Sequence, residues 1–311
     1  MKAFDVEING KICDYRVGKT VDLKKVRSFL EKTYTVHTLW QAGRHVLGTM
    51  EKNGTELFFK LATTEGISYL TKNEYEWNKQ FNKQSPRNTS VYWVPQNVDC
   101  GMYENTLFYL ITDVLPGKLL AEKPEKTDTT RIKKYLPTIV QFSELISTLD
   151  LTIRRERDMS GQDFFYQKTL SWYEAIPKHI TEKYKIIKLL EIVEYSYHGL
   201  MQRPRHGDFT PWHMLSIGDD RLGLIDGEHA MGNGVEYYDI GYFIQRVFCI
   251  LENPDLAKKI VQHLADRKYK ILPLQTILAA RGIGGFLDES LKENSDYTLC
   301  DTYSNFVLSV S

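Results

Sequence analysis

Arg205-His206-Gly207-Asp208-Phe209-Thr210-Pro211-Trp212-His213, followed closely by Gly223-Leu224-Ile225-Asp226-Gly227-Glu228, decides how this chain is read. An apolar lead-in delivers Asp208 onto a turn, and a second strand then delivers Asp226 beside it. The separation, 226 − 208 = 18 residues, leaves room for a loop, a brief strand, a turn at Gly218-Asp219-Asp220 and a returning strand. Two carboxylates at the ends of paired strands suit a base plus a metal ligand. Phosphoryl transfer needs that combination, because its catalysis is mostly positioning and charge stabilisation.

Working outward, 311 residues are enough for two lobes, each with a core of its own. A 42% hydrophobic and 26% charged composition places the chain among ordinary globular proteins. Lys+Arg and Asp+Glu are both 40, so no global field points to nucleic acid or to an anionic membrane. Cys13, Cys100, Cys249 and Cys300 are scattered without a C-x-x-C, which reads as reduced, structural thiols of a cytoplasmic protein. The N-terminus carries Asp5 and Glu7 where a signal peptide needs an apolar core. No stretch approaches the ~18 apolar residues of a membrane span. The strongest run, 107–115, is interrupted by Thr112 and Asp113 and reads as a buried strand.

Along the chain, residues 4–17 alternate around an Asn9-Gly10 hairpin turn, and Asp22 caps a short helix. Residues 33–41, 45–50 and 55–62 form a three-strand antiparallel meander, with turns at Gly43 and Asn53-Gly54 and Lys60 near its end. A helix is expected over 69–81, a short strand over 91–95, a turn over 102–105 and a strand closing the sheet over 106–112. The pattern breaks at Asp113-Val114-Leu115-Pro116-Gly117. Beyond it, helical periodicity covers 128–149, 164–176, 181–200, 236–251, 255–265, 274–291 and 296–310, with a charged loop over 153–161. Gly282, Gly284 and Gly285 weaken the helix that contains them. The expected division is 1–112, a hinge at 113–117, and 118–311.

An N-terminal sheet with one helix, a break, then a helical lobe carrying the aspartate pair is a kinase-like layout. At His206 to His213, at Leu224 to Glu228 and at Tyr238-Asp239-Ile240-Gly241-Tyr242-Phe243 the sequence resembles the aminoglycoside phosphotransferase and choline kinase group. These small-molecule relatives of protein kinases carry H-G-D-x-x-x-x-N, I-D-x-x and a D-L-A-Y-like helix start. The resemblance runs from about residue 39 to 243 and, before Asp208, rests mainly on the order of elements. It implies an α+β, protein-kinase-like two-lobe fold. It also implies transfer of the γ-phosphoryl of ATP, GTP not being excluded, to a hydroxyl of an aminoglycoside-, choline- or sugar-like acceptor.

The same resemblance distributes the roles. Asp208 accepts or orients the acceptor's hydroxyl proton, and Asp226 binds Mg2+, a hard cation that prefers carboxylate oxygen. Lys60 points at the α- and β-phosphates and pairs with a glutamate on the following helix. Glu74 suits that better than Glu76, because Trp77 and Phe81 repeat its face. Gly43, in the turn Gln41-Ala42-Gly43-Arg44, covers the phosphates although G-x-G-x-x-G is missing. Asp113 to Leu115 offers backbone groups to the purine. His206 orders the loop, and Asp239 stabilises the loop or caps its helix.

One residue departs from the pattern. The family's asparagine, a second metal ligand, is His213 here, and imidazole is a poor ligand for magnesium. His213 then does not ligate, or the enzyme works with one magnesium or with Mn2+, or activity is reduced. A nucleotide-binding pseudokinase is the alternative. A protein kinase is disfavoured, since no A-P-E-like segment follows Asp226. Trp172, Tyr173, Trp212, Glu228, Asp288 and Glu289 are the acceptor-site candidates. An acidic cleft suits an aminocyclitol and an aromatic cage a quaternary ammonium, and both stay open at this point.

Overall fold

In the computed structural model, which describes residues 4–8, 11–122, 128–153, 159–218 and 220–310, the chain opens with β1 (Asp5–Ile8) and β2 (Lys11–Asp14). The two strands pair antiparallel; the turn residues Asn9-Gly10 lie outside the described residues. Helix α1 (Leu23–Leu30) follows, capped by the Asp22 carboxylate, which accepts the amides of Lys24 and Lys25. Asp22 thereby satisfies donors that the first helical turn leaves without partners.

The meander is β3 (Thr35–Ala42), β4 (His45–Lys52) and β5 (Thr55–Ala62). Asn53 and Gly54 between the last two strands both have positive φ, 52° and 78°, as a two-residue hairpin turn requires. Helix α2 (Glu65–Gln84) is longer than the expected 69–81, because Thr64 caps it through the amide of Ile67. After the short β6 (Tyr92–Trp93), β7 (Asn97–Tyr103) and β8 (Leu107–Asp113) complete a five-stranded antiparallel sheet in the order β3-β4-β5-β8-β7. Strand β7 is a correction to the sequence reading, which had only a turn over 102–105. Asp99-Cys100-Gly101 shows no alternation, and it is pairing with β8, Cys100 opposite Leu110, that extends it. The turn itself is confined to Glu104 and Asn105, at φ 48° and 58°. Val26, Leu30, Val46, Met50, Phe59 and Ile111 form one core between α1 and the sheet.

The chain divides into two compact units, one of Phe4–Gly117 with Gly223–Ala230, the other chiefly of Lys118–Leu222 with Met231–Ser311. Residues 223–230 thus return to the N-terminal unit.

The second unit is mostly helical: β9 (Lys118–Leu119), α3 (Thr130–Ile146), α4 (Gly161–Ala175), α5 (Lys178–Lys183) and α6 (Ile187–Ser196). Then come β10 (Gln202–Arg205), β11 (Met214–Gly218), β12 (Arg221–Leu224) and β13 (Met231–Val235). Helices α7 (Tyr238–Cys249), α8 (Pro254–Asp266), α9 (Ile271–Ser290) and α10 (Thr298–Ser309) close it. Strand β9 pairs with β11, and β10 with β13, both antiparallel. Asp219 of the turn before β12, and residues 154–158 of the loop before α4, lie outside the described residues. The single helix expected over 181–200 is two, because Lys185 turns left-handed at φ 50°. Its apolar spacing runs on across the break and so hides it. Helix α9, by contrast, continues through its glycines, where a Cβ on Gly285 would stand 2.8 Å from the Gln245 amide of α7. The missing side chains are what let α9 pack.

Candidate active site

Strand β5 turns Lys60 into the interior of the N-terminal unit, where its ammonium meets three carboxylates. The Nζ lies 2.7 Å from Glu74 Oε2, 2.5 Å from Asp226 Oδ1 and 3.3 Å from Glu228 Oε2. Glu74 comes from the buried face of α2 that also carries Leu70, Trp77 and Phe81, so helical periodicity fixes its direction. Asp226 adopts a left-handed φ of 66°, a conformation that aspartate tolerates better than most residues. The next residue must be small, because a Cβ on Gly227 would run into the Trp77 indole. The Asn73 amide donates to the carbonyls of Glu228 (3.1 Å) and Ala230 (2.8 Å). These contacts with α2 draw 223–230 into the N-terminal unit.

Two residues without an assigned part in the sequence reading complete the cluster. Arg44, beside Gly43 in the β3–β4 turn, forms an ion pair with Glu228 and donates to the Tyr15 carbonyl at 3.1 Å. His45 Nε2 lies 3.1 Å from Thr71 Oγ1 and 3.6 Å from Glu228 Oε2. Glu228, considered above as an acceptor contact, is instead 1% exposed at the centre of these cations.

Burial and charge oppose each other throughout the cluster. Burial works against the Lys60 ammonium, but Asp226, Glu228 and Glu74 outweigh it and hold its pKa well above the ordinary value. Burial pushes the Glu74 carboxyl up, to about 7, against the pull of Lys60. For Glu228, burial is outweighed by Lys60 and Arg44, and its pKa falls. His45 drops to about 3, through burial and then the nearby Lys60, and so is neutral at pH 7. One oxygen each from Glu74, Asp226 and Glu228 lies within 4.8 Å of the others. Such an all-oxygen donor set fits a hard divalent cation. Asp226 is the most open of the three, its side chain 26% exposed.

The other expected residues of this unit differ in standing. Gly43 has φ +55°, and a Cβ there would meet nothing within 4 Å, so glycine serves the turn's conformation. Asp113 is held by the Arg87 guanidinium and accepts the Gln96 amide at 2.6 Å, while its own amide donates to the Gln96 carbonyl at 3.0 Å. Its carboxylate and its N–H are thus engaged in anchoring the end of β8. Leu115 is buried.

In the helical unit, the loop that bears Asp208 is fixed from behind. Asp239, in the first turn of α7, accepts the amides of His206 (2.7 Å) and Gly207 (2.9 Å). Burial lifts its carboxyl to about 6 against those two donors. Gly207 takes a positive φ of 84°. Phe209 is fully buried between Phe142 and Phe243, with ring centroids at 6.0 and 6.1 Å. His213 turns back on Asp208, its Nδ1 lying 3.1 Å from the Asp208 carbonyl and 3.4 Å from the carboxylate. With the proton on Nδ1, the ring donates to that carbonyl. His206, expected to order this loop, is held by its backbone amide, and the ring that binds Asp208 is that of His213.

No family model matches the chain, and no curated protein matches it in sequence. Solved structures do. Aminoglycoside phosphotransferase APH(4)-Ia aligns with a TM-score of 0.68 at 14% identity, over 93% of this chain and 99% of its own. A thermostable mutant of that protein, bound to ADP and hygromycin B, aligns at 0.69 and 13% identity, over 92% and 98%. The choline kinase LicA from Streptococcus pneumoniae aligns at 0.52 and 15%, over 92% and 95%. The chain therefore has the fold of these small-molecule kinases, an antiparallel N-terminal sheet followed by a helical part, as its sequence resemblance implied. No helix among the described residues is long and apolar enough to cross a membrane.

Proposed function

We propose that this protein is a small-molecule kinase that transfers the γ-phosphoryl group of ATP to a hydroxyl. The observation that carries the reading is the buried Lys60–Glu74–Asp226 cluster on a small-molecule-kinase fold. Lys60 keeps its charge at every physiological pH and is braced by Glu74, so a fixed cation is available for the nucleotide phosphates. Asp226, the most open carboxylate of the cluster, would hold the metal, with Glu228 as the nearest further oxygen donor while Glu74 stays on Lys60. Magnesium, or manganese in its place, neutralises charge that builds up on the phosphates. Asp208 orients the acceptor hydroxyl and takes up its proton, on a loop that Asp239 sets beforehand. Preorganisation of this kind saves reorganisation at the moment of reaction. A cytoplasmic location, where ATP is supplied, belongs to the same proposal.

His213 favours a second reading, a pseudokinase that binds nucleotide without turnover, since its ring engages Asp208 where an amide ligand was expected. The two readings part on turnover, and both require nucleotide binding. Mg2+–ATP or Mn2+–ATP at ~100 times its Kd stabilises a folded protein by ~2.7 kcal/mol, a shift of several degrees in Tm. That shift is expected for the wild type and lost in Asp226→Asn. A wild type that is not stabilised by nucleotide with either metal would overturn both readings.

A further inference from the structure

Charge in the helical unit bears on the acceptor. The features that left cationic acceptors open were an aromatic cage and an acidic cleft, and here the protein's own cations already meet Trp172, Asp288 and Glu289. Asp288 is bonded by Arg246 at 2.9 Å, and Glu289 by Lys292 at 2.6 Å. The ring of Trp172 faces the Arg281 guanidinium at 5.0 Å, which also lies 3.8 Å from the Tyr242 centroid and 5.8 Å from that of Tyr238. A quaternary ammonium would meet a cage already filled by a cation.

Arg281 is itself the unbalanced group. It is 5% exposed and donates from Nη1 to the Tyr238 hydroxyl at 3.2 Å. Among the described residues no carboxylate pairs with it, and its buried Nε has no hydrogen-bond partner. Cation–π contacts offset part of the cost of burying a guanidinium but leave its Nε donor unused. Burial acts to raise the Tyr238 hydroxyl, yet Arg281 and Arg205 together pull its pKa below the ordinary value, the mark of a positive local field.

This cation lies close to the catalytic loop. Asp239 at the start of α7 holds the His206 and Gly207 amides, and Tyr242 follows about one turn later. Tyr242 feels the charges of both Asp208 and Arg281. Tyr242 is thus in reach of both charges, one turn of α7 beyond the residue that holds the loop bearing Asp208.

We propose that the acceptor carries an oxyanion, a carboxylate or a phosphate monoester, that pairs with Arg281 while its hydroxyl is presented to Asp208. The proposal rests on the phosphotransferase reading and narrows it to hydroxy acids or phosphorylated alcohols. Arginine suits this because its planar fork matches an oxyanion with two parallel hydrogen bonds, which lysine cannot reproduce. In the transfer, the acceptor oxygen bonds to the γ-phosphorus and its proton passes to Asp208. The bond from the γ-phosphorus to the bridging oxygen breaks, and ADP leaves with that electron pair.

The test uses the full chain with Mg2+–ATP and four acceptor sets: hydroxycarboxylates, phosphorylated polyols, neutral polyols and sugars, and aminocyclitols with amino alcohols. Acceptor-dependent ADP release is expected from one of the first two sets alone, and which one responds distinguishes carboxylate from phosphate. Arg281→Lys should raise KM for that acceptor by at least ~10-fold and leave KM for ATP unchanged, the mark of a lost bidentate contact. Thermal shift of the wild type with the same oxyanions, without nucleotide, reads binding independently of the variant. If nucleotide binds but only cationic or neutral acceptors react, or no oxyanion shifts Tm or reacts, the oxyanion proposal falls and the kinase reading survives. If nucleotide never binds while oxyanions still raise Tm in an Arg281-dependent way, the oxyanion site stands and the kinase reading falls. An unchanged KM for an anionic acceptor in Arg281→Lys overturns the assignment of Arg281.

Discussion

Replacing Lys60 by methionine probes the cluster directly. Lys60→Met keeps the length of the side chain and removes the ammonium that serves Glu74, Asp226 and Glu228. Glu228 keeps Arg44 as a partner, and Asp226 is open enough to be hydrated, so the loss falls mainly on Glu74. Removing one partner of a buried pair costs ~3–5 kcal/mol. Glu74 can soften this by taking a proton, since burial already holds its pKa near about 7. The sign of the pH dependence follows. An acid whose folded pKa lies above its unfolded value favours the fold at low pH, and that contribution is lost as pH rises through the folded pKa. Without Lys60 the folded pKa of Glu74 rises further, so the variant should lose ~3 kcal/mol at pH 8 and clearly less at pH 5. Urea denaturation at both pH values measures this. Adding Glu74→Gln should recover ~1–2 kcal/mol at pH 8, because the two sites share one interaction. A Lys60→Met variant within ~0.5 kcal/mol of wild type at pH 8, or no recovery in the double variant, would refute the idea that Lys60 neutralises a buried carboxylate.

Three further outcomes are expected. Asp239→Asn removes a carboxylate that titrates at about 6 in the fold against 3.8 ordinarily. Between those values the wild type loses on the order of 3 kcal/mol relative to the variant as pH rises, readable from paired urea curves at pH 4 and pH 7. Gly227→Ala drives a methyl into the Trp77 indole and should cost ~1–3 kcal/mol, with weakened metal–nucleotide binding by calorimetry as Asp226 is displaced. His213→Ala removes the hydrogen bond to the Asp208 carbonyl, so turnover should fall by ~5–10-fold, a loss of ~1 kcal/mol or slightly more, with nucleotide affinity unchanged.

The sequence was most informative where a period or a turn rule applied. The apolar runs 57–59 and 61–62 on either side of Lys60 placed it near a buried strand end, and the three- and four-residue steps of 70–81 singled out Glu74 over Glu76 as its partner. Asn53-Gly54 marked its hairpin for the same local reason. What escaped was set by contacts far apart in the chain. Arg44 meets Glu228 across 184 positions, and nothing in the composition of either segment announces it. Strand β7 lacks alternation and forms because β8 supplies a ladder. Arg281 stood in a stretch that its glycines marked as a doubtful helix, although those glycines are what allow α9 to pack so closely. The identity of position 213 was plain in the sequence, but the direction of its ring was not.

The most direct test is transfer itself. Purified protein is incubated with Mg2+ and ATP labelled in the γ-phosphate, together with an acceptor pool spanning the four chemical sets. Label should enter a non-nucleotide small molecule as an acid-stable, alkaline-phosphatase-sensitive ester, and Asp208→Asn should reduce the rate by at least ~100-fold. Nucleotide binding without any labelled product in either magnesium or manganese, or transfer that persists unchanged in Asp208→Asn, would contradict the assignment of this chain as a small-molecule kinase.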